Sequence, residues 1–71
     1  MDEVKLLAAC IRWWKISEDL QKLPKANERE IAYEIGYRGA LDTVMQEVRP
    51  GIDWQERVNE YRKTGEIHVE H

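Results

Sequence analysis

Apolar residues recur along this chain at two different spacings, and three breakers divide it: Pro24 in KLPKAN, Pro50-Gly51 in VRPGID and Gly65 in KTGEIH. Between the breakers the apolar positions return every three or four residues, the period of a helix lying on a core. The first segment predicts a helix from about Asp2 to Gln21, with Asp2 and Glu3 at its positive end. The second predicts one from Asn27, an N-cap with Glu30 three residues on, to Val48 before the Arg49-Pro50 stop. A third opens at Asp53, with Glu56 placed to reach back, and ends near Lys63 with Gly65 beyond it. EIHVEH alternates instead, which predicts a short strand or a frayed tail. The expected fold is therefore all-α: an antiparallel helical hairpin, a short third helix and an extended C-terminal tail. Residues 1–65 form a single helical domain in this reading, and 66–71 the tail.

The widths of the apolar arcs carry more information than the helices themselves. At about 100° per residue, Val4, Leu7, Cys10, Ile11 and Trp14 cover one side of the first helix. Leu6, Ala9, Trp13, Ile16 and Leu20 cover the adjoining side, giving an arc of roughly 240° where an ordinary surface helix needs about 100°. Trp13 and Trp14 must then face different neighbours. On the second helix Ala32, Gly36, Gly39, Ala40 and Thr43 draw a seam of small residues, flanked by Ile31, Ile35, Tyr33, Tyr37, Leu41, Val44 and Val48. A glycine inside a helix costs about 0.5 to 1 kcal/mol relative to alanine, so Gly36 and Gly39 predict a close approach by a large ring. Two helices and a short third cannot cover both arcs. The expectation is a homo-oligomer, most simply a two-fold dimer forming a four-helix bundle, with Trp13, Trp14, Ala32, Gly36, Tyr37 and Ala40 at the interface.

Size sharpens that expectation, because a 71-residue chain lies where a single core rarely supplies more than about 3 to 5 kcal/mol unaided. The lone Cys10 excludes an intramolecular disulfide, and no Cys/His cluster offers a structural zinc site. With a net charge of −3 and both signs interspersed, the chain exerts no general attraction on nucleic acid or anionic membrane. MDEVKLLAACIRWWK begins with acids where a signal peptide needs positive charge, and its apolar run is too short to span a bilayer. A cytoplasmic protein with a reduced thiol is expected. No nucleophile stands at a recognisable distance from a base and no glycine-rich phosphate loop is present, so no enzymatic activity, catalytic residue, metal or cofactor is assigned. His68 and His71 read as part of a solvated polar tail, since on a strand their odd spacing sends them to opposite faces. Apolar neighbours make Cys10 a buried small residue rather than a reactive thiol.

Function is then sought on surfaces. Trp54, Val58 and Tyr61 form one stripe on the third helix. That stripe either packs across the end of the helical pair, with Ile52 and Ile67 closing the flank, or leaves Trp54 or Tyr61 partly exposed as an anchor with Arg57 or Arg62 at its rim, residue types enriched in binding hot spots. In size, acidity and helical content the chain resembles the accessory and inhibitor proteins that bacteriophages encode. That resemblance implies a protein that binds and modulates, or inhibits, a protein partner. IAYEIGYRGALDTVMQEV resembles the helix-turn-helix family, with Ile31-Ala32 in a first helix and Ile35-Gly36-Tyr37 at the turn. It implies a DNA-binding regulator over residues 31–48, broken near Gly36, that offers Arg38, Gln46 and Arg49 to duplex DNA. A further alternative is an oligomer that sequesters a small anionic ligand such as a nucleotide, using Arg12 beside Trp13 and Arg38 beside Tyr37.

Overall fold

The computed structural model describes residues 2–70, which form three helices: α1 (Glu3–Gln21), α2 (Glu28–Val48) and α3 (Trp54–Thr64). Each starts where a short polar side chain can cap it. Asp2 accepts from the amides of Val4 and Lys5, Asn27 from that of Glu30, and Asp53 from that of Glu56. Two glycines supply the left-handed backbone at the exits. Gly51 has φ 89° and donates its amide to Gln46 Oε1 at 3.1 Å; Gly65 has φ 75° and donates to Tyr61 O at 2.8 Å.

Helices α1 and α2 run antiparallel, and two long-range ties fix their register. Ser17 near the end of α1 meets Glu34 near the start of α2, and Glu3 at the start of α1 meets Arg49 just past the end of α2. Helix α3 packs on α1, so the molecule has two layers, with extents of 36 × 25 × 20 Å. Leu7, Cys10, Ile11 and Trp14 of α1, Leu41 and Met45 of α2, and Ile52, Trp54 and Val58 from the α3 region fill the core. Burial pushes the Cys10 thiol up from its ordinary pKa.

Several expectations meet their outcome here. Residues 28–48 are one uninterrupted helix, so the turn near Gly36 that the helix-turn-helix resemblance implies is absent. The reason is local: no residue between Glu28 and Val48 is a proline, and nothing lies within 4 Å of a Cβ built on Gly36, so no neighbour wedges the helix open. Among the described residues the tail forms no strand, yet it is docked. Val69 is 4% exposed and belongs to the core, while Arg49 Nη1 donates to Val69 O at 2.7 Å and Arg57 Nη1 to His68 O at 2.9 Å. Side-chain guanidinium groups replace the missing strand partner. His71 lies outside the described residues.

Candidate interaction surface

The two adjacent tryptophans divide as their 100° separation requires. Trp14 is 7% exposed inside the core, and Trp13 is 47% exposed on the opposite layer from α3. Around Trp13 the second apolar side of α1 stays uncovered, with Ile16 and Leu20 in the same stripe. From α2 come Tyr33, 67% exposed, and Tyr37, whose rings stack with centroids 6.4 Å apart and planes 15° from parallel. Trp13, Ile16, Leu20, Tyr33 and Tyr37 line one groove of about 240 Å³ between the helices.

A polar lock floors this groove. Ser17, almost fully buried, donates its hydroxyl to Glu34 Oε1 at 2.8 Å and accepts from Arg38 Nη1 at 3.1 Å. The other guanidinium nitrogen of Arg38 bonds Gln21 Oε1. Each of these four side chains thus has a partner, and the lock holds α1 to α2 at the level where the aromatic rings open outward.

The small-residue seam faces away from the chain's own core. Ala32, Gly36, Gly39, Ala40 and Thr43 are all exposed, and a Cβ added at Gly36 or Gly39 meets nothing within 4 Å. Within one chain no ring seats against the seam, because α2 turns Leu41, Met45 and Glu34 toward α1 and the seam lies on the far side. Of the residues expected at an interface between copies, Trp13, Ala32, Gly36 and Ala40 reach solvent, Tyr37 is half-buried, and Trp14 belongs to the chain's own core.

The third helix is turned inward. Of the two readings of its stripe, Trp54 follows the packed one rather than that of an exposed partner-binding anchor: it is 1% exposed, because the stripe with Val58 is the apolar face α3 has to bury. Tyr61 is half-buried against the same core. Arg62 forms ion pairs with Asp19 at 2.8 Å and Glu18 at 3.1 Å, binding α3 to α1, and it is joined by Gln55 donating to Glu18 at 2.9 Å. Lys15 first and Arg62 second hold the Asp19 carboxyl below its usual range. Arg57 spends both guanidinium nitrogens on the tail carbonyls of His68 and Glu70.

On the tail, His68 stands among carboxylates: Glu66 and Glu70 at 3.2 Å and Glu60 at 3.4 Å. Its pKa is raised, chiefly by the hydrogen bond to Glu66 and then by that to Glu70. Glu70 is held low, first by its own backbone amide and also by His68 and the amide of Val69. Alternation along the tail already sets Glu66, His68 and Glu70 on one side; Glu60, on α3, is the member that sequence periodicity does not reach. Among the described residues no set of three or more side chains is arranged to hold a metal ion, and no helix is long and apolar enough to cross a membrane. No known family, curated protein or solved structure matches the chain, so its own residues carry the functional reading.

Proposed function

We propose that this chain is a small non-enzymatic helical interaction protein that self-associates through the open α1–α2 face and, in that assembled form, binds and modulates a protein partner. The observation that carries the reading is the uncovered stripe of Trp13, Ile16 and Leu20 beside Tyr33 and Tyr37. Soluble monomers rarely leave a contiguous apolar patch of this kind without a use for it. The groove's charge favours a protein surface over an anionic ligand, because Glu34 lines it and Arg38 is turned inward to Ser17 and Gln21. On the other layer Tyr61 and Arg62, rather than Trp54, are the third-helix residues that reach the surface for a partner.

Sedimentation at micromolar concentration tests the first half: a dimer or larger is expected, and a stable monomer at every concentration overturns it. Capture from the source cell followed by mass spectrometry tests the second. A protein should be enriched by the intact chain and lost with Tyr61→Ala protein that circular dichroism shows to be folded at the capture temperature; recovery of nucleic acid or a small ligand instead overturns the protein-partner reading.

A further inference from the structure

We infer that the open face is filled by a second copy of this chain, related by a two-fold axis parallel to α1 and α2, so that α1 of each copy lies on α2 of the other. The inference rests on the self-association proposed above and adds its geometry.

Register and charge carry it together. The Glu3–Arg49 tie fixes which residues of the hairpin share a level, and two residues further into each helix stand Lys5 and Glu47. By the 100° rotation per residue, Lys5 and Arg12 flank the Trp13 stripe on the edge of α1 away from α2. Glu47 and Gly36 flank the tyrosine stripe on the edge of α2 away from α1. Lys5, Arg12 and Glu47 are exposed and form no ion pair among the described residues. A parallel two-fold axis keeps every residue at its own level while setting the α1 edge of one copy against the α2 edge of the other. Lys5 then meets Glu47 of the second copy, twice per dimer. By the Ser17–Glu34 tie, Trp13 lies at the level between Gly36 and Ala40, where the glycine leaves open space for a ring.

The competing two-fold axis, perpendicular to the helices, lays α1 on α1 and faces the Lys5 and Arg12 edges toward each other, which like charges oppose. Area is also consistent with a second copy. Trp13 and Tyr33 alone offer roughly 200 Å² of the about 800 Å² per copy that a specific interface covers, and Ile16, Leu20 and Val44 extend the patch along both helices.

Cross-linking in the full chain tests the axis. Lys5→Cys protein is mixed with Glu47→Cys protein and oxidised; the native Cys10 is buried and stays silent. A covalent dimer joining position 5 to position 47 is expected, with little self-coupling of the Lys5→Cys protein. Lys5→Glu should raise the dissociation constant about tenfold, and adding Glu47→Lys should restore it. Self-coupling at position 5, or no rescue by the charge swap, in a protein that still sediments as a dimer overturns this axis and leaves self-association standing. A monomer at all concentrations overturns both.

Discussion

Two sides of α1 have nearly the same composition and opposite fates. One presents Leu7, Ile11 and Trp14 and is covered by α2 and α3; the other presents Trp13, Ile16 and Leu20, which the described residues leave about half exposed. The difference lies in where α3 is anchored. Arg62 and Gln55 find Glu18 and Asp19 on one edge of α1, and that edge decides which apolar side is roofed. Hydrophobicity made both sides fit for burial, and a few polar contacts chose between them.

The largest expected effect that separates the two sides is Trp14→Ala, which should cost about 3 to 5 kcal/mol in chemical denaturation. Trp13→Ala should cost less than about 1 kcal/mol in the isolated chain and instead raise the dimer dissociation constant about a hundredfold. Equal losses of fold stability from the two substitutions would erase the contrast. Ser17→Ala, which strips partners from Glu34 and Arg38, should cost about 1 to 3 kcal/mol, read by the same denaturation curves. Gly39→Ala points away from both sides into open space and should stabilise the chain by about 0.5 to 1 kcal/mol; a melting temperature that falls would mean an unseen neighbour there.

The smallest effect concerns the tail. The folded pKa of His68 is raised above its ordinary 6.5. Its contribution to docking the tail is therefore fully present below pH 6.5 and is lost as pH rises through the raised value. Amide exchange at Val69 should quicken across that interval while exchange in α1 does not change, and His68→Gln should remove the dependence. Because the histidine sits at the surface, the expected change is confined to the tail.

The capping residues were legible in the sequence because a cap is a local matter: Asn27 and Asp53 need only the next three residues to act. The width of the α1 arc was legible for the same reason. Which tryptophan it buries was not, since that depends on α3, forty residues away, finding Glu18. The seam of small residues was visible as a pattern, but glycine spacing reports that a side of a helix is smooth, not what faces it, and no described residue comes within 4 Å of a Cβ at Gly36 or Gly39. The tail shows a third kind of gap. Its alternation sets Ile67 and Val69 on one side, the side that meets the core, yet alternation says nothing about guanidinium groups standing in for a neighbouring strand.

Arg49 carries one more consequence. One guanidinium reaches Glu3 at 3.1 Å and the Val69 carbonyl at 2.7 Å, so segments separated by most of the chain's length are knotted at a single side chain. The start of α1 and the tail therefore share one fastening, so that Arg49→Ala would release both at once.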